Sequence, residues 1–135
     1  MSGRRHWLQL LALSPLLAAG RAYAGTYLNR VALLIAQSSR ECEYLRRRVN
    51  DKDLAVLVHG VAKARLDMAS RMNVPKEVVN AHPHLLLMLE NYERAAFSAT
   101  EGQAEKFLIY QVRARDEEQV LRGVLRQLKY SLPDY

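Results

Sequence analysis

Hydrophobic residues recur every three or four positions along most of the chain, which is the spacing of one face of an α-helix. The sequence has no alternating, strand-like run, and glycine and proline are sparse. The pattern predicts helices at about 26–49 and 52–72, a third from residue 75, and a fourth to about residue 129. The stripes predicted to face inward are Leu28, Val31, Ile35, Ser38, Cys42, Leu45 and Val49; Leu54, Leu57, Val61, Ala64 and Met68; Leu85, Leu89, Tyr92 and Ala96; and Phe107, Ala114, Leu121, Val124, Leu125 and Leu128.

Residues that begin or interrupt helices separate these segments. Asn50 or Asp51 offers a side-chain cap for the second helix. Pro75 suits the first turn of the third helix, because its missing N–H would be unpaired there in any case. Pro83 follows closely, so we expect the third helix to be kinked or split near Pro83.

The fourth helix is predicted to start at Thr100, because Thr100 and Gln103 have the spacing of a capping box. Four helices joined by short connections, each with one apolar stripe, favour an all-α fold of the up-down-up-down four-helix bundle type.

The first 24 residues have the three parts of a cleavable signal peptide. Arg4 and Arg5 form a basic start, an apolar run covers residues 8–19, and Ala22-Tyr23-Ala24 precedes Gly25. The apolar run is about a dozen residues long, whereas a membrane-spanning helix needs roughly 20. We therefore expect cleavage after Ala24, export to the periplasm, no permanent membrane span, and a single domain at 25–135.

The basic start also resembles the twin-arginine signal, in which two arginines are followed by any residue and then two apolar ones. Arg4-Arg5-His6-Trp7-Leu8 fits that order, and Arg21 lies near the expected cut. The resemblance implies export in the folded state, a route used most by proteins that acquire a cofactor or a partner first. The general secretory route is the alternative.

Charge narrows the range of partners. The leader holds Arg4, Arg5, Arg21 and no acid, so half of the formal net charge of +6 belongs to it. A remainder of +3 over the rest of the chain is too weak to indicate nucleic-acid binding. Cys42 is the only cysteine, so no intramolecular disulfide is possible, and we expect it on the buried stripe.

Few residues suggest chemistry. His82-Pro83-His84 places two imidazoles at a helix start, and Glu90 and Glu118 could add carboxylates to a metal site. Against a metal site, the Glu-x-x-His pairs of di-metal bundles are missing. Cys-x-x-Cys-His, phosphate loops, Gly-x-Ser-x-Gly and His-Glu-x-x-His are missing too, so we predict neither catalytic residues nor a cofactor.

Three hypotheses about function follow. The favoured one is a non-enzymatic, exported helical bundle that binds another envelope protein. The alternatives are a small accessory subunit of an exported redox enzyme, and a binder of a metal or small ligand through His82 and His84. Candidate partner-binding residues are the basic run Arg46, Arg47 and Arg48, which could also meet anionic lipid or cell-wall polymer, and the aromatic residues Tyr92, Phe97 and Tyr110.

Overall fold

The computed structural model describes the backbone of residues 2–135 and the side chains of residues 24–135, and it confirms the all-α fold. Its helices are α1 (Ser2–Arg46), α2 (Lys52–Ser70), a short 3₁₀-helix (Lys76–Val78), α3 (His82–Thr100) and α4 (Ala104–Gln127). The side chains of the predicted signal motif, Arg4 and Arg5, and of the apolar run that follows lie outside the described part of the structure. Within the described range, no helix combines the length and the apolar character needed to cross a bilayer.

The four helices form a bundle in which α3 is central. α3 packs most extensively against α4 and α2, and α1 contacts all three other helices. α2 and α3 are antiparallel, because His59 meets Glu93 in the middle of the pair while Ala69 near the end of α2 meets His82 at the start of α3. The predicted bundle architecture is thereby confirmed.

Two of the predicted boundaries are confirmed in atomic detail. The backbone N–H of Leu54 donates to Asp51 Oδ1 at 3.1 Å, so Asp51 is the cap of α2. The third helical segment is split as expected: Pro75 precedes the 3₁₀-helix, and α3 restarts with Pro83 in its first turn.

Two other boundaries were predicted wrongly. α1 does not begin at residue 26 but is already helical at Ala24 and Gly25, since one glycine costs a helix only about 1 kcal/mol. Thr100 does not cap α4; it ends α3, and its hydroxyl donates to the Phe97 carbonyl at 2.6 Å.

The turn after α3 explains the second error. Gly102 adopts φ 70°, in the left-handed region that glycine enters without a steric penalty. The N–H of Gly102 donates to the Ala99 carbonyl and the N–H of Gln103 to the Ser98 carbonyl, at 3.1 and 2.9 Å. This pair of bonds is a Schellman motif, which ends a helix and satisfies its last carbonyls.

The core contains the predicted stripes of α1, α3 and α4. The stripe residues buried there are Leu28, Val31, Ile35, Ser38, Cys42, Leu45, Leu85, Leu89, Tyr92, Ala96, Phe107, Ala114, Leu121 and Leu125. Val49 and Val124 pack against this core while partly exposed.

The inward-facing stripe predicted for α2 is wrong, because the buried face is displaced from it by one residue. Its buried residues are Ala55, Ala62, Arg65 and Ala69, whereas Leu57 is 65% exposed and Met68 54%. Three alanines spaced by seven give α2 a flat face, and Ala62 lines the same small internal space as Ala96 of α3. Because small side chains let two helices approach closely, the larger residues of α2 are left outside.

With this orientation of α2, enlarging a buried alanine should destabilise the protein more than truncating an exposed leucine. Ala55→Leu should lower the free energy of unfolding by about 2–3 kcal/mol, because Ala55 is fully buried and extra methylenes cannot be accommodated. Leu57→Ala should lower it by about 0.5 kcal/mol or less. Urea denaturation of both variants checks this, and the reverse order would mean that α2 faces α3 with its leucine stripe.

Candidate functional site: an apolar groove between α1 and α2

A largely apolar groove lies between the C-terminal half of α1 and the N-terminal half of α2. Its volume is about 470 Å³. We call it the α1–α2 groove, and the residues that line it are Arg40, Glu41, Tyr44, Leu54, Leu57, Val58 and Val61.

The groove exists because of how α2 is oriented. With the alanines turned toward α3, Leu57 and Val61 remain 65% and 39% exposed beside Tyr44, which is 47% exposed. The helical spacing of Leu57 and Val61 continues through Ala64 to Met68, so the exposed apolar row extends for about three turns of α2. An exposed apolar row of this length is unusual on a protein that acts alone.

A partly buried ion pair beside the groove links α1 to α2. Arg65 donates to both carboxylate oxygens of Glu41, at 2.7 and 2.9 Å, and its Nη1 lies 3.4 Å from Ser38 Oγ. The Arg65 side chain is only 8% exposed, while Glu41 keeps 35% of its surface in solvent. The bidentate geometry fixes the relative position of the two helices, and it neutralises the only acid that lines the groove.

The α1 edge of the groove is positively charged. No carboxylate among the described residues pairs with Arg40 or Arg48. The Arg48 guanidinium stacks over the Tyr44 ring, 4.4 Å from its centroid, and donates to the Tyr44 hydroxyl. This contact holds one positive charge at the end of the groove.

The three arginines predicted to bind a partner, Arg46, Arg47 and Arg48, have different neighbours in the structure. Arg46 donates to Glu43, and Arg47 and Arg115 also lie within ion-pair distance of that carboxylate. The hydrogen bond from Arg46 lowers the pKa of Glu43 below its ordinary value. Of the three arginines, Arg48 contacts Tyr44, which lines the groove.

The three aromatic residues predicted as a partner-binding patch do not form one. Tyr92 is buried, with 4% of its surface exposed, because it lies on the core stripe of α3. Phe97 is 49% exposed and packs against His59, with ring centroids 5.5 Å apart. Tyr110 is partly buried, and Arg113 lies over its ring.

His82 and His84 are separated by the structure. His82 faces the core between α1 and α2. His84 Nδ1 instead lies 3.3 Å from Glu117 Oε2 on α4. The other two candidate metal ligands are engaged along their own helices, Glu90 with Arg94 at 2.6 Å and Glu118 with Arg122 at 3.0 Å. In the described part of the chain, no three His, Cys, Asp or Glu residues come together as a set that could hold a metal ion.

His82 joins three helices through its two ring nitrogens. Its Nε2 lies 3.1 Å from the Ala69 carbonyl near the end of α2, and its Nδ1 lies 2.7 Å from the Tyr27 hydroxyl of α1. Since a carbonyl only accepts, Nε2 carries the proton and Nδ1 accepts from Tyr27. Burial lowers the pKa of His82 below its ordinary value of 6.5 and raises that of Tyr27 to about 12.

His82 should therefore make the protein less stable in mild acid. Below pH 6.5 the unfolded chain binds a proton at this imidazole that the folded protein resists, so stability falls until the pH passes the lowered pKa. The melting temperature of the wild type should drop more between pH 7.5 and 5.5 than that of His82→Gln. The His59–Glu93 and His84–Glu117 pairs occur in both proteins and cancel in the comparison. Equal drops would contradict the assignment.

A second, much smaller space lies inside the bundle. It has room for about one water molecule, at 10 Å³, and Cys42, Tyr92 and Phe107 are among the residues that line it. Burial raises the pKa of both Cys42 and Tyr92 to about 12. The Tyr92 hydroxyl is buried near Ser39 without meeting hydrogen-bond geometry there or with any other described residue. A buried thiol with a raised pKa is a poor nucleophile, and this space is part of the core.

The α1–α2 groove is the feature that sequence reasoning missed. The signal for it was the repeat of alanine at 55, 62 and 69, which marks a close-packed face more strongly than the bulkier stripe beside it. Comparison with known proteins adds no assignment, since the chain matches no protein-family model and no curated protein or solved structure shows significant similarity to it.

Proposed function

We propose that this protein is an exported, periplasmic and non-enzymatic helical bundle that binds another envelope protein through the α1–α2 groove. The observation that carries the proposal is the exposed row of Leu57, Val61 and Tyr44 along a groove of about 470 Å³. Burying such a row yields roughly 25 cal/mol for each Å² removed from water, which favours a bound state.

The rigid surroundings of the groove support binding over chemistry. The Arg65–Glu41 pair fixes one wall to the other, so the apolar surface is formed before a partner arrives. A preformed surface lowers the ordering cost of association. The groove is lined by one carboxylate, which is already neutralised, and it holds no nucleophile or histidine.

The leader supports the location and a second candidate function. The basic start, the short apolar run and the small residues before Gly25 are typical of exported precursors. The resemblance of Arg4-Arg5 to a twin-arginine signal favours a partner acquired before export, as expected for a small accessory subunit of an exported redox enzyme. In that case the groove would hold a segment of the larger subunit.

The experiment that tests the proposal is recovery of the protein from the envelope fraction of its native host. We expect an intact mass that begins at Gly25. A photo-cross-linking residue at position 57 should give one adduct of defined mass, stoichiometric with the protein. A mass that retains Met1 to Ala24 would contradict export.

Position 108 is the matched control for the cross-link. Leu108 is 48% exposed on α4 and does not line the groove, so a cross-linker there should give no such adduct. Equal adducts from both positions would contradict binding through the groove. Identification of the cross-linked protein also separates the two candidates, because only the accessory-subunit function requires that protein to be a subunit of a redox enzyme.

A further inference from the structure

The charges around the α1–α2 groove identify the kind of partner it fits. We infer that its occupant is an amphipathic helix of a partner protein, with acidic residues along the edge that faces α1. The inference rests on the proposed function and adds the chemistry of the bound segment to it.

The shape of the site favours a helix. The apolar lining runs along two helices, from Leu54 to Val61 on α2 and beside Tyr44 on α1. Seven residues of helix cover about 10 Å, and the exposed row continues to Met68, so two to three turns of a bound helix match the length. Helix-in-groove recognition needs apolar residues at i, i+3 or i+4, and i+7 of the bound segment.

The charges beside the groove indicate which edge of the bound helix carries acidic residues. Arg40 and Arg48 on the α1 side form no ion pair with the described residues, although Arg40 also borders a space that Glu118 and Asp134 line. Arg65 compensates Glu41. By helical spacing, the outer edge of α2 carries Asp53 and also Asp67, which pairs with Arg71 at 3.3 Å. Positive charge is therefore concentrated on the α1 edge, where carboxylates of the occupant would be complementary.

A second copy of the chain fits the site less well than a separate helix. In a two-fold dimer whose axis passes through the groove, each groove would face the equivalent groove, and two concave surfaces leave the space between them unfilled. An α-helix presents a convex ridge, which a groove between two helices accepts.

The test uses the full chain and two synthetic helical peptides with capped ends. Both carry leucine at i, i+4, i+7 and i+11; one has glutamates along a single flank, and the other has lysines at the same positions. Fluorescence anisotropy at low salt should give an affinity about tenfold higher for the acidic peptide, since two exposed charge pairs change from repulsion to attraction. The preference should shrink at 0.5 M salt, an ionic strength at which the screening length is about 4 Å.

Variants connect the binding to the groove. Leu57→Asp should weaken the acidic peptide at least tenfold, while the control Leu108→Asp leaves its affinity unchanged. Arg40→Glu should remove the preference between the peptides without abolishing binding. Because Leu57, Leu108 and Arg40 are exposed, we expect all three variants to fold.

The outcomes separate this inference from the proposed function. Equal binding of both peptides, lost in Leu57→Asp, would overturn the acidic-edge inference and leave the groove as a binding site. Tighter binding of the basic peptide, or no binding of either peptide, would also overturn the inference. Cross-linking from position 57 would still decide the proposed function. A dimer in sedimentation analysis that dissociates in Leu57→Asp would assign the groove to a second copy and overturn it.

Discussion

Phe107→Ala should lower the free energy of unfolding by about 4 kcal/mol, the largest effect that we expect from a single substitution. Phe107 is fully buried on α4 and lines the small internal space beside Cys42 and Tyr92. Truncation would enlarge that space into a cavity lined by residues of all four helices. Since domains of this size are stable by about 5–15 kcal/mol, urea denaturation should show a large fall in the midpoint.

The other phenylalanine of the chain provides the control. Phe97 is 49% exposed and touches His59 at the surface of the α2–α3 pair. Phe97→Ala is the same chemical change, yet it should cost about 1 kcal/mol or less. Similar losses from the two variants would show that α4 does not turn Phe107 into the core.

Glu41→Ala should lower the free energy of unfolding by about 3 kcal/mol, although Glu41 itself is partly exposed. The cost arises at Arg65, whose guanidinium would keep only the Ser38 hydroxyl at 3.4 Å while the side chain stays 8% exposed. An uncompensated charge in that position is more costly than a carboxylate that can return to water.

Substituting Arg65, the other partner, separates the cost of an uncompensated buried charge from the cost of losing the ion pair. Arg65→Met keeps most of the side-chain volume and leaves Glu41 hydrated, so it should cost about 1 kcal/mol, and adding Glu41→Ala to it should cost little more. Glu90→Ala, which breaks an exposed pair with Arg94, should cost about 0.5 kcal/mol. A Glu41→Ala effect no larger than that of Glu90→Ala would contradict a buried role for Arg65.

The helices and most of the core could be predicted from the sequence because the pattern and the packing agree there. In α1, α3 and α4 the bulky apolar residues form the stripe with the correct period, and burying them is the dominant favourable contribution. The cap at Asp51 and the break before Pro83 were predictable because each depends on local backbone chemistry.

The orientation of α2 could not be predicted from its hydrophobicity. Two adjacent stripes compete on that helix, one of alanines and one of leucine, valine and methionine, and the choice between them depends on how α2 packs against α3 in three dimensions. The groove is a direct result of that choice. His82 was equally hard to assign, because its partners Tyr27 and Ala69 belong to helices that meet only in three dimensions.

Because Cys42 is buried, the rate at which its thiol reacts reports the local opening of the bundle. With 4% of its surface exposed and its pKa raised to about 12, the thiol is shielded from reagents in the closed bundle. Labelling by a disulfide reagent must then wait for α1 to separate from its neighbours, and the slow rate gives the free energy of that opening. No engineered probe is needed, since the chain has one cysteine. A partner that clamps α1 to α2 would slow the labelling further, so occupancy of the groove becomes measurable from inside the core.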